Sequence, residues 1–201
     1  VEIYGGCDTF NVTDNYIYQV YDAGITQQYT LTDKELENGT DKSQKNMYYA
    51  RNVIENCNYS IEYFLGIGSH PENPSRMENF LIEDNLMWYA GVGFAEQRPD
   101  PSATHIQGWS GGNRNRATNY HINNNLFVDT IGAMVRIWSQ LKNPDGSDSM
   151  PEFDGNSFAA HLGDNFGTVT ATGDTTGCNF GPGIPGYLGE RSTDDTFWIE
   201  E

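Results

Sequence analysis

Residues 47–54, Met47-Tyr-Tyr49-Ala-Arg-Asn52-Val-Ile54, place apolar side chains at alternate positions on both sides of a central Asn. Period two on each flank describes two short strands meeting at a tight corner. The frame recurs as Phe10-x-Val12-x-x-Asn15-x-Ile17, Phe80-x-Ile82-x-x-Asn85-x-Met87 and Tyr120-x-Ile122-x-x-Asn125-x-Phe127, and more weakly as Pro151-x-Phe153-x-x-Asn156-x-Phe158. One such unit cannot bury its own apolar side, so repetition implies a solenoid whose units stack on one another. Asn suits the corner because it tolerates left-handed backbone. Its amide can also bond the backbone and the Asn one coil above or below. Asn15, Asn52, Asn85, Asn125 and Asn156 are therefore expected to form one ladder.

Successive ladder positions are 37, 33, 40 and 31 residues apart. After each Asn unit comes a third apolar alternation, at Ile25, Ile61-x-Tyr63, Val92-x-Phe94 and Val135-x-Ile137. The variation in length falls beyond it, in residues 30–45, 66–78, 98–118 and 139–150. These segments are rich in Gly, Pro, Ser, Asn and charge, as loops are. Each coil is expected to hold three strands and one long loop, all loops leaving from one side, which in solenoids marks the binding face. Five to six coils would fill residues 1–160. Residues 161–201 would close the end, covering strands and core otherwise left open.

The order strand, Asn corner, strand, short turn and third strand resembles the right-handed parallel β-helix of the pectin-lyase-like superfamily. Glu152-Phe-Asp-Gly-Asn-Ser-Phe158, followed by Phe166-Gly-Thr168, resembles the ends of secreted bacterial β-helix proteins. The resemblance implies an all-β solenoid and an extracellular or cell-surface location. It leaves activity open among glycoside hydrolases, polysaccharide lyases, epimerases and non-catalytic adhesins, because that fold hosts them all. The paired Asp-Asp and Gly-His-Gly of polygalacturonases do not occur on the floor strands, and Val135-Arg-Ile-Trp138 only partly echoes their Arg-Ile-Lys.

A net charge of −17 argues against generic nucleic-acid binding and against anionic membranes as partners. It also favours neutral glycans over polyuronates. Aromatic residues make up 13% of the chain, with 12 Tyr, a content suited equally to a carbohydrate surface and to a broad solenoid core. Cys7, Cys57 and Cys178 are odd in number and lack metal-ligand spacing, so no disulfide framework is expected and Cys57 reads as a buried thiol. No run of 18 apolar residues occurs, so no membrane insertion is expected. Val1-Glu2-Ile3-Tyr4 already alternates like a strand. The chain is accordingly read as beginning inside a coil, with a C-terminal fragment of a larger enzyme as one alternative.

If the third strands form a floor under the loops, period two sends Glu2, Thr26, Glu62, Gly93 and Arg136 outward in one column. Tyr4, Gln28, Phe64, Ala95 and Trp138 form the next. The 98–118 loop adds His105, able to exchange protons near neutral pH, and Trp109, able to stack on a sugar. The expected catalytic set is Glu62 as acid or base, Arg136 orienting or neutralising the substrate, and His105 as alternative proton carrier. Trp138, Trp109, Phe64 and Gln28 would bind substrate. No nucleotide loop or zinc motif is present; a single calcium ion at the turns holding Asp22 or Asp129 is the one cofactor considered. The leading expectation is a β-helix that acts on or binds a polysaccharide or oligosaccharide, as a hydrolase, a lyase or a pure binder. The rival is a non-catalytic surface or adhesion module.

Overall fold

A computed structural model of the chain describes residues 1–29, 34, 37–38, 43–65, 76–91, 104–110, 116–130, 134–137, 145, 151–159, 168–170, 179–180 and 196–198, some at segment margins by backbone alone. Three sheets run along the molecule. Sheet 1 orders β1 (Glu2–Tyr4), β4 (Ala23–Tyr29), β7 (Tyr59–Leu65), β10 (Thr104–Ser110), β13 (Val135–Ile137), β16 (Thr168–Thr170) and β18 (Thr196–Trp198). Sheet 2 contains β2 (Asp8–Thr13), β5 (Gln44–Ala50), β8 (Arg76–Glu83), β11 (Arg116–Asn123) and β14 (Glu152–Asp154). Sheet 3 contains β3 (Tyr16–Tyr18), β6 (Val53–Glu55), β9 (Leu86–Ala90), β12 (Leu126–Thr130), β15 (Ser157–Ala159) and β17 (Asn179–Phe180). Because the chain visits one sheet after another and each strand pairs with its equivalent in the next coil, the fold is an all-β parallel solenoid. Among the described strands the one antiparallel pair is β16 with β18, at the far end of sheet 1.

The alternating frame explains the core. Phe10, Met47, Phe80 and Tyr120 form one inward column across coils, and Ile17, Ile54, Met87, Phe127 and Phe158 another. Tyr120 stacks on Phe80 at 5.2 Å and Phe127 on Phe158 at 4.8 Å, so rings meet rings of the neighbouring coil. Each such side chain removed from water contributes roughly 1.5–3 kcal/mol before entropy is counted.

The five Asn residues stack as expected. The Oδ1 of Asn52 accepts the backbone N–H and the Nδ2 of Asn15, and the same pair of bonds joins Asn52 to Asn85, Asn85 to Asn125 and Asn125 to Asn156, at 2.9–3.1 Å. The Nδ2 of Asn52, Asn85, Asn125 and Asn156 also donates backwards, to the carbonyl three residues before the preceding Asn: Val12, Tyr49, Ile82 and Ile122.

Two expectations need correction. The left-handed residue at the corner is not the Asn but the one before it: Asp14, Arg51, Asp84, Asn124 and Gly155. Gly155 fits because a Cβ there would meet the Asn124 Oδ1 at 2.2 Å. Left-handed backbone returns six residues before the ladder Asn (Thr9, Asn46, Asn79, Asn119) and four after it (Gln19, Asn56, Tyr89, Asp129), so these bends repeat at fixed positions. Secondly, the floor strand of the third coil is β10, not Val92–Phe94. Ile106 and Gln107 pair with Ile61 and Glu62 on one side and with Val135 and Arg136 on the other. The 98–118 segment reads as a loop in sequence because its turn residues outweigh the Ile106-x-Gly108 alternation, whose second inward position is a glycine. Residues 92–94 lie outside those described.

Candidate functional site

Sheet 1 positions the candidate face. Its register aligns Glu2, Thr26, Glu62, Gln107 and Arg136 in one column. Tyr4, Gln28, Phe64 and Trp109 form a second, two residues along. Between them lies an inward column of Ile3, Gln27, Tyr63 and Gly108, with Ile137 next in register. Gly108 is required there, since a Cβ would stand 2.2 Å from the Tyr63 hydroxyl oxygen. The interior is not wholly apolar at this point. Tyr49 donates its hydroxyl to Gln27 Oε1 at 2.6 Å, and Gln27 Nε2 donates to Gln44 Oε1 at 2.8 Å, all three fully buried.

Glu62 is 4% exposed, flanked by Thr26 at 6% and Gln107 at 0%, although period two directs all three away from the core. Removing a carboxylate from water is costly unless donors meet it. Thr26 Oγ1 lies 3.4 Å from Glu62 Oε2, and Gln28 Nε2 donates to Thr26 Oγ1 at 3.3 Å. The column is thus recessed in its middle and open at Glu2 and Tyr4, which are exposed. Hydroxyl, carboxylate and carboxamide follow one another along the column at Thr26, Glu62 and Gln107, with Arg136 next in register, and Phe64 and Trp109 are register partners in the adjacent column.

The sequence-derived residues separate into three groups. Glu62, Phe64 and Gln28 fall on the two columns, Arg136 is in register with Gln107 and Glu62, and Trp109 is in register with Phe64, at the position assigned to Ala95. His105 does not sit in a loop over the groove. It lies in β10 opposite Ser60, fully buried, with Nδ1 3.0 Å from Ser60 Oγ and Nε2 3.0 Å from the Val128 carbonyl. A carbonyl only accepts, so Nε2 carries the proton and Nδ1 receives the serine hydroxyl. Burial holds the imidazole neutral and pushes its pKa down to about 3, which removes it as a proton carrier near neutral pH. Trp138, Gly93 and Ala95 lie outside the described residues, as do His70 and His161.

Among the described residues no group of three or more His, Cys, Asp or Glu side chains gathers where it could hold a metal, and Asp22 and Asp129 stand apart from any such group. Cys57 is buried, and desolvation raises its thiol pKa to about 11, so it behaves as a packing residue.

A second Asn column escaped the sequence reading. On the outer face of sheet 2, Asn119 Nδ2 donates to Asn79 Oδ1 at 2.8 Å, Asn79 to Asn46 at 2.8 Å, and Asn46 to Asp8 Oδ1 at 2.7 Å. His121 extends the chain, with Nε2 2.6 Å from Asn119 Oδ1 and Nδ1 3.0 Å from Glu152 Oε2. The signal was available: Asn46, Asn79 and Asn119 each precede a ladder Asn by six residues.

Fold and face together define a parallel β-solenoid with a polar column flanked by aromatics on one sheet. No protein-family model, curated protein or solved structure matches the chain.

Proposed function

We propose that the chain is an extracellular β-solenoid of the pectin-lyase-like type that binds a neutral polysaccharide along the outer face of sheet 1. One observation carries this reading: an outward-facing carboxylate, Glu62, is held 4% exposed in register with Thr26, Gln107 and Arg136, beside an aromatic column. Carboxylates recessed among donors and next to flat rings suit sugar hydroxyls and ring faces. Binding is favoured over turnover. A retaining pair of carboxylates stands about 5–5.5 Å apart and an inverting pair about 6.5–9.5 Å, whereas Glu2 and Glu62 are two coils apart, roughly 9.6 Å, far beyond the first and at the upper limit of the second, and His105 is sequestered.

The test is a panel of neutral and uronic-acid polysaccharides, scored for binding, for reducing ends and for the ultraviolet-absorbing unsaturated product of a lyase. Saturable binding to a neutral glycan, weakened about tenfold or more by Glu62→Gln with thermal stability retained, supports the proposal. Turnover abolished by Glu62→Gln would convert the binder into an enzyme acting at the same face. Binding indifferent to Glu62→Gln and to Phe64→Ala would remove sheet 1 from the account.

A further inference from the structure

The outer faces of sheets 2 and 3 differ in kind. Sheet 2 turns Glu83, His121 and Glu152 outward beside its column of Asn. On sheet 3 the inward residues Ile54, Met87, Phe127 and Phe158 are at 0% exposure, so the residues flanking each of them point outward. Val53, Leu86 and Leu126 form one outward column, and Glu55, Trp88 and Val128 a second, in register from coil to coil. Leu126 is 39% exposed and the others are half-buried. Glu55 alone among them is ionisable, and the Tyr16 hydroxyl donates to its Oε2 at 2.6 Å. Tyr16 and Tyr18 continue the two columns, their rings stacked 12° from parallel. One residue at the margin of this face takes a costly conformation. The left-handed position four residues after each ladder Asn holds Gln19, Asn56 and Asp129 in other coils, but in the third coil it holds Tyr89, at φ 57°. A bulky ring is disfavoured there. It lies 5.3 Å from the Trp88 ring, so the strain accompanies support of an outward indole.

We propose that the outer face of sheet 3 is a glycan-adsorbing platform, independent of the Glu62 column, that lies flat on the packed chains of a neutral, insoluble polysaccharide. Charge selects the ligand. An anionic polymer is repelled by the net charge of −17, and a cationic one finds on this face a single carboxylate already engaged by Tyr16. Area disfavours a second copy of the chain. The five strands from β3 to β15 span roughly 24 Å by about 10 Å, a footprint near ~240 Å², whereas a stable interface buries about 800 Å² per partner. Topology disfavours a peptide. Peptides add to an unpaired strand edge or fill a groove, but β6, β9 and β12 are paired on both sides and present their side chains in register. Sugar rings are flat and apolar on their C–H faces, so aromatic and aliphatic side chains repeating at about 4.8 Å can stack against them.

The test is depletion of the whole chain from solution by microcrystalline cellulose and by chitin powder, with the melting temperature recorded for every variant. The expected result is saturable adsorption to at least one of the two solids. Affinity should fall at least ~10-fold with Trp88→Ala and with Leu126→Glu, which puts a charge on an exposed position and leaves the core intact. Tyr89→Asn should also weaken adsorption while the melting temperature holds or rises, because Asn tolerates the left-handed backbone; a purely structural tyrosine would not give that pair of results. Glu62→Gln and Phe64→Ala should leave adsorption unchanged, so failure at sheet 1 and failure at sheet 3 are separate results. No adsorption to either solid, adsorption indifferent to Trp88→Ala and Leu126→Glu, or adsorption lost with Glu62→Gln instead would overturn the proposal. So would a dimer in sedimentation velocity that Leu126→Glu dissociates, since the face would then belong to a second copy.

Discussion

Two columns of asparagine run along this solenoid, six residues apart in sequence, and they do different work with the same side chain. In the inner column Asn52, Asn85, Asn125 and Asn156 are 0–2% exposed, and each amide bonds backbone as well as its neighbour. In the outer column Asn46, Asn79 and Asn119 are exposed, take left-handed backbone at φ 53°, 55° and 52°, and bond one another, Asp8 and His121 through side chains alone. Hydrogen bonds closed off from water are costly to break, because each orphaned partner keeps its desolvation penalty, while exposed ones exchange freely with solvent. The inner column therefore holds coils together. The outer column marks where the backbone must bend, a position Asn tolerates better than most residues.

The contrast can be broken from the inner side first. Asn85→Leu strands the Tyr49 carbonyl and the Asn52 backbone N–H and leaves Asn125 Oδ1 with only the residue-85 N–H, and should destabilise the fold by about 3 kcal/mol in denaturant titration. A loss near zero would mean that the ladder is decoration. Next in size is a pH effect at the same buried level. The unfolded chain takes up a proton at His105 near 6.5, whereas the folded chain resists it to about 3. The unfolded state thus binds more protons between those values, and stability falls as pH is lowered through that window, by about 2 kcal/mol at pH 5. Unfolding curves at pH 7 and 5 should show this slope, and His105→Gln should flatten it. Asp8 and Asp14 are held below the usual carboxylate range by Asn46 and Arg51, so their contributions fade only at lower pH.

Gly108→Ala should cost about 1–2 kcal/mol, since Tyr63 must yield to the new methyl in a packed interior. The smallest effect belongs to the outer column. Asn79→Gly removes the amide chain but keeps the left-handed bend, and should change stability by less than about 0.5 kcal/mol. A loss comparable to Asn85→Leu would erase the distinction between the two columns.

The inner column was legible because its flanking apolar residues alternate strictly, leaving one way to fold the frame. The outer column carries no such flank: Lys45, Glu78 and Thr118 precede it, and polar residues on an outer face look like any solvated strand. The third-coil floor is hidden in the sequence for a related reason. Thr104–Ser110 supplies one aliphatic inward residue, Ile106, and Gly108 fills the next position only because Tyr63 from the neighbouring coil occupies the space. That is a tertiary cause, invisible to a local pattern. His105 shows the same limit, since a histidine between turn-rich segments reads as mobile until β10 places it against Ser60 and Val128.

The candidate face stands or falls with the register of sheet 1. A Phe64→Cys/Trp109→Cys variant should form a disulfide on mild oxidation, identified by peptide mass spectrometry, because these residues are direct partners on parallel strands about 4.8 Å apart. The companion variant Phe64→Cys/Ala95→Cys should not. Cross-linking of the second pair and not the first would restore Val92–Phe94 as the floor strand and contradict the column of Glu62, Gln107 and Arg136.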